Sequence, residues 1–210
     1  MTKIKICGVT NLADALKVAE LSADYIGFIF AQSPRSIKNL EELKAIISQL
    51  SQPIIKVGVF GDQSPDEINQ IMRTTHLDIA QLHGTANLEF ISKINHPVFK
   101  VLKIADTVPS QEIIDFSKLE KVQAFLVDRY DPEKLGGTGK TFDWKLMEQI
   151  KALSSKPVIL SGGLNPDNLA AAIEATHPYA VDMSSGVEKA VGLKDHVKLK
   201  AVIEIVRSEN

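Results

Sequence analysis

Tyr25-Ile26-Gly27-Phe28-Ile29-Phe30 is non-polar along its whole length apart from one phenol hydroxyl. A strand with one face in water alternates polar and apolar residues, whereas a strand covered by helices on both faces does not, and such strands are usually parallel. Outward from this stretch, further β-rich runs lie at 3–7, 54–60, 77–82, 98–104, 122–128, 157–160 and 179–183, with 24–30 enclosing the quoted stretch. Their spacing of roughly 20 to 35 residues is close to one strand-helix-strand unit.

Helix starts are readable between the runs. Ser64-Pro65-Asp66-Glu67 supplies a capping hydroxyl, a proline suited to the first turn and a Glu that can reach back to the cap, followed by a stripe of Ile68, Ile71 and Met72. Asn165-Pro166 repeats this logic ahead of Leu169, Ala172 and Ile173. Asn39 with Glu42 opens a helix whose Leu40, Leu43, Ile47 and Leu50 share a face, and Asn11 with Asp14 opens the first. A fifth, less marked helix falls near 110–117. Eight strand-then-helix units without a Pro/Ser/Gly-rich linker predict an α/β fold: a single (βα)8 TIM barrel with a parallel eight-stranded sheet over residues 1–210. An open doubly wound sheet is the rival, and the absence of a dinucleotide fingerprint argues against it.

Composition narrows the function. With 24 Lys+Arg against 26 Asp+Glu, the formal charge of -2 provides no broad basic field, so no nucleic-acid partner is expected. The apolar stretch at 25–31 falls far short of the ~18 to 20 residues of a membrane-spanning helix, and the first residues lack a signal-type hydrophobic run. A cytoplasmic location without membrane association follows as the expectation. The single cysteine, Cys7, excludes an internal disulfide and a multi-cysteine zinc site. Neither metal nor cofactor is expected, and the pattern leaves monomer and homodimer open.

Barrel active sites lie at the carboxyl ends of the strands. There the chain delivers Cys7-Gly8, Gln32-Ser33-Pro34-Arg35, Gln81-Leu82-His83-Gly84, Val127-Asp128, Ser161-Gly162-Gly163-Leu164 and Asp182-Met183-Ser184-Ser185-Gly186. Gly162 and Gly163 after the seventh strand, with Ser184, Ser185 and Gly186 after the eighth, can aim backbone N–H groups and hydroxyls at one point, the usual phosphate position of such barrels. The plainer reading is that these glycines only make tight turns. Gly136-Gly137-Thr138-Gly139-Lys140-Thr141 suggests a P-loop, but that motif needs a glycine where Lys134 stands, and 129–141 reads instead as a long loop over the barrel mouth.

Taken singly, Cys7 reads as a small buried residue ahead of a nucleophile or base, while Arg35 is open between a solvated loop charge and a functional one, and His83 between a satisfied half-buried histidine and a site residue. Asp128, ending the apolar run Ala124-Phe125-Leu126-Val127, requires a role or a partner. His76, His96, His177 and His196 fall in helix or turn contexts and receive no function.

Together these segments resemble the phosphoribosylanthranilate isomerase family. The resemblance rests on Lys5-Ile6-Cys7-Gly8-Val9-Thr10, Gly27-Phe28-Ile29-Phe30 with Ser33-Pro34-Arg35, Gln81-Leu82-His83-Gly84, and Gly136-Gly137-Thr138-Gly139 with Phe142-Asp143-Trp144. Ser161-Gly162-Gly163-Leu164-Asn165-Pro166 and Val181-Asp182-Met183-Ser184-Ser185-Gly186-Val187-Glu188 complete it, so the match runs in order along the whole chain. It implies a phosphosugar substrate and a tryptophan-pathway Amadori rearrangement of an aminoaldose to an aminoketose. It further implies Cys7 as general base, Asp128 as general acid, Arg35 near the anthranilate carboxylate, and Asp182 lining the pocket, with His83 placed among the substrate-binding residues. Two departures are Val191-Gly192-Leu193-Lys194-Asp195, which lacks the family's frequent proline, and Arg129 after the acid, where a small residue is frequent.

Rival chemistries fit less well. A metal-dependent epimerase lacks partners for His83, and a triose-type isomerase lacks a strand-end Glu base. A non-catalytic barrel that merely binds a phosphorylated ligand needs neither Cys7 nor Asp128.

Overall fold

The computed structural model describes residues 1–84, 86–104, 107–129 and 145–209, with only the backbone of Arg129 and Lys145. The glycine-rich segment 136–141 and Phe142-Asp143-Trp144 lie outside the described residues, as does nearly all of the proposed mouth loop.

The elements alternate as β1 (Lys3–Ile6), α1 (Leu12–Glu20), β2 (Tyr25–Ile29), α2 (Leu40–Ser48), β3 (Ile55–Phe60), α3 (Pro65–Thr75), β4 (Ile79–Leu82) and α4 (Leu88–Ser92). They continue as β5 (Val98–Ile104), α5 (Ser110–Ser117), β6 (Val122–Arg129), α6 (Lys145–Leu153), β7 (Val158–Leu160), α7 (Leu169–Thr176) and β8 (Ala180–Met183). All eight strands pair in parallel and in chain order, and β8 closes on β1 through Lys3↔Ala180 to Ile6↔Met183. The predicted barrel is therefore closed.

Period-two alternation sorts each strand's side chains between two layers. Tyr25, Val57, Ile79, Phe99, Val101, Ala124, Leu126, Ile159 and Ala180 fill the barrel, while a larger apolar cluster that includes Ile6, Phe28, Phe60, Phe125 and Val181 packs under the helices. The strand patterns read as nearly continuous because both layers are apolar.

The caps act largely as read. Ser64 and Glu67 form a reciprocal capping box with Pro65 opening α3, Asn11 accepts from the Asp14 N–H, and Asn39 accepts from Glu41 and Glu42. Two details differ. Asn165-Pro166 opens a turn, and α7 itself begins at Leu169 after Asn168. In α2 the buried pair is Leu43 and Ile46, with Ile47 and Leu50 only partly covered, so the apolar stripe is rotated from the one read in the sequence. An unanticipated antiparallel ribbon, β9 (Glu188–Ala190) with β10 (Leu193–Lys194), precedes α8 (His196–Ser208). The segment departing from the family's proline pattern forms this ribbon.

Candidate active site

Cys7 follows the last residue of β1, its N–H bonded to Met183 O of β8. Two residues earlier Lys5 points into the barrel, fully buried, and its Nζ lies 2.9 Å from Oδ1 of Asp182, its register partner on β8. Gly27 of β2 makes room for the thiol, since a Cβ there would sit 2.8 Å from Cys7 Sγ. Burial pushes the Cys7 thiol up; Lys5 and Lys194 oppose this, Asp182 adds to it, and the net direction is upward. Cationic neighbours alone would favour the thiolate. Desolvation outweighs them, because the sulfur sits within the closed wall.

Asp182, assigned to the pocket lining, is engaged with Lys5. That ammonium stays charged despite burial: desolvation lowers its pKa, the Asp182 carboxylate and the Cys7 sulfur raise it, and the net shift is upward.

Arg35, after β2, is held in a two-point fork by Glu188, with Nε to Oε1 at 2.8 Å and Nη2 to Oε2 at 2.7 Å. It is not a freely solvated charge. Its remaining N–H groups suit a second carboxylate. Glu188 is also met by Lys194 Nζ at 3.0 Å, and this buried ammonium donates further to Cys7 O at 2.6 Å and Ser184 O at 3.1 Å. One cation thus ties together the end of β1, the loop after β8 and the support of Arg35.

His83 follows β4, with Nε2 3.1 Å from Gln81 Nε2. Burial, assisted by the charges of Lys5, Lys103 and Lys100, pushes its pKa down to about 4, so it is neutral at pH 7. Asp128 is half-buried near the end of β6, where its register partner on β5 is Lys103.

After β7, Ser161 Oγ donates to Val127 O, fixing the strand end against β6. Gly162 and Gly163 follow with φ of 91° and 72°, a region that disfavours other residues. The Asn165 and Asn168 amides both donate to Gly163 O and hold the turn. A Cβ on Gly186 would overlap the carbonyl oxygen of Leu164, so the loop after β8 packs backbone to backbone on the loop after β7. The loops carrying Gly162-Gly163 and Ser184-Ser185-Gly186 therefore touch where Gly186 meets Leu164, and a short 3-10 turn at Ser185–Val187 bends the second loop.

Sequence reasoning missed Lys5, Glu188 and Lys194 as site residues. A lysine between two isoleucines, Ile4-Lys5-Ile6, was a usable signal for the first. For Lys194 there was none. His76 and His177 cap helix ends, and His196 pairs with Asp14 at 2.8 Å. Among the described residues no group of three His, Cys, Asp or Glu side chains is arranged to hold a metal ion. A cavity of about 660 Å³, lined by Lys3, Tyr25, Asp78, Phe99 and Tyr179 among others, opens at the opposite, amino-terminal face of the barrel.

Residues 4–205 match the family described as N-(5'-phosphoribosyl)anthranilate (PRA) isomerase. The Pelobacter propionicus N-(5'-phosphoribosyl)anthranilate isomerase is 41% identical, over 99% of this chain and 96% of that one. The crystal structure of the Thermotoga maritima phosphoribosyl anthranilate isomerase superposes with a TM-score of 0.90 at 36% identity, covering 99% and 100% of the two chains. A further isomerase structure, in complex with reduced 1-(o-carboxyphenylamino)-1-deoxyribulose 5-phosphate, gives 0.86 at 33% identity over 99% and 100%. Likeness in sequence and in three dimensions over nearly every residue leads to one conclusion: this chain belongs to the N-(5'-phosphoribosyl)anthranilate isomerase family.

Proposed function

We propose that the chain isomerises N-(5'-phosphoribosyl)anthranilate to 1-(2-carboxyphenylamino)-1-deoxyribulose 5-phosphate in tryptophan biosynthesis, by general acid–base catalysis with Cys7 as base and Asp128 as acid. The carrying observation is that Cys7 on β1 and Asp128 on β6 end at the same rim as the joined glycine and serine loops after β7 and β8. An acid and a base on well-separated strands can reach a sugar from two sides. Asp128 delivers a proton to the ribose ring oxygen as the C1–O bond breaks, leaving an iminium. Cys7, as thiolate, removes the C2 proton to give an enolamine, which tautomerises to the aminoketose.

The phosphate sits against Gly162, Gly163, Ser184, Ser185 and Gly186 and anchors the substrate remotely from the reacting carbons. Arg35 takes the anthranilate carboxylate with the N–H groups that Glu188 leaves. Neutral His83 is a polar wall of the pocket. Asp182 acts on the substrate side through the buried pair it makes with Lys5. The reading needs no metal, cofactor or nucleic acid. It places the reaction in the cytoplasm, where the charge of the phosphosugar retains it.

The test is turnover, followed by the loss of substrate fluorescence. Cys7→Ala and Asp128→Asn are each expected to lower kcat by ~10²-fold or more with the fold retained. Wild-type turnover in either variant removes that residue from the mechanism.

A further inference from the structure

We propose that Lys5, held in place by Asp182, is a positioning residue whose charge sets how readily the Cys7 thiol ionises. This rests on Cys7 being the base. Lys5 and Cys7 are two positions apart on the same inward line of β1, and Asp182 is the register partner of Lys5 on the adjoining strand. The ammonium is fully buried and 2.9 Å from Asp182 Oδ1, so its place is fixed. Its positive charge opposes the effect of burial on the Cys7 thiol. Cys7 and Lys5 lie along the inner face at the end of β1, Asp182 stands beside Lys5 on β8, and Gly27 leaves space beside the thiol.

The chemistry requires such a device. A thiol in the barrel wall loses water, and burial works against the thiolate the reaction uses. The charges facing the sulfur are Lys5 on its own strand, Asp182 on β8, Lys194 on β10 and Arg35 after β2, the last two sharing Glu188. Lys194 is tied to the Cys7 carbonyl and Arg35 to Glu188, whereas Lys5 shares the inward line of β1 with Cys7 and leads the charges that oppose its burial. A buried lysine alone would shed its proton, and Asp182 prevents this. The carboxylate therefore contributes to catalysis by keeping its neighbour charged.

Because Cys7 is the single cysteine, thiolate absorbance in the ultraviolet reads it directly, with Cys7→Ala as the blank. In the folded Lys5→Met variant the midpoint is expected to rise by about one pH unit or more, an approximately tenfold loss of thiolate below it. The pH profile of kcat/KM should shift the same way. Lys5→Met strands a buried carboxylate, so the Lys5→Met/Asp182→Asn double variant keeps the test open if the single variant does not fold. There the rise is expected to be smaller, since one opposing charge is removed as well. An unmoved midpoint in the folded single or double variant overturns the proposal and leaves Lys5 a structural ion. Full turnover in Cys7→Ala would instead overturn the base assignment, whatever the titration shows.

Discussion

Replacing Lys194 by methionine removes one buried ammonium and the contacts it makes to Cys7 O, Ser184 O and Glu188 Oε1. The three ammonium protons match these three acceptors, so nothing on Lys194 is spare. Methionine retains most of the stem's volume, which confines the loss to the polar contacts. Glu188 keeps its fork with Arg35, so its charge is not stranded, but the carbonyls of Cys7 and Ser184 lose a donor. With no buried charge left uncompensated, the loss is that of unsatisfied buried carbonyls, about 1–3 kcal/mol. In a chain of 210 residues each kcal/mol lowers Tm by ~2–4 °C, giving a fall of about 2–12 °C. Thermal unfolding followed by circular dichroism measures it. Turnover at a temperature where both proteins are folded should also drop about tenfold or more, because the backbone carrying Cys7 is no longer pinned. A Tm within ~2 °C of wild type together with unchanged kcat would refute the view that Lys194 clamps the rim.

Three further outcomes are expected. Gly186→Ala should separate the loops after β7 and β8, raising KM for the phosphorylated substrate more than it lowers kcat, as steady-state kinetics would show; an unchanged KM contradicts their contact. Inorganic phosphate should compete with substrate at the same loops, and inhibition indifferent to substrate concentration would count against that subsite. For His83, the pKa of about 4 lies below the unfolded value of ~6.5, so the unfolded chain binds the extra proton in that window and stability falls as pH drops from ~6.5 toward 4. Denaturation midpoints measured across this range should fall less steeply in His83→Gln.

Much of the rim was legible because catalytic positions in a parallel barrel follow strand ends, and strand ends follow hydrophobic runs. Val98–Ile104 and Ser110–Ser117 have the bounds the sequence suggests, while other strands differ by one or two residues at their frayed ends. The ribbon of Glu188–Ala190 and Leu193–Lys194 was not legible, because two very short strands leave no periodic signal. Nor was the engagement of Arg35. As a loop arginine after Ser33-Pro34 it looks solvated, and only the position of Glu188 shows that it is held.

Local physics determined the order of strands and helices, the caps at Ser64, Asn39 and Asn11, and the glycines at the ends of β7 and β8, since each depends on residues within a turn or two. Tertiary closure decided the rest. Lys5 meets Asp182 across 177 positions, Arg35 meets Glu188 across 153 and Lys194 meets Cys7 across 187. Such pairs form because β8 closes on β1 and the ribbon behind it folds over the same rim, where exclusion of water makes each charge select its partner.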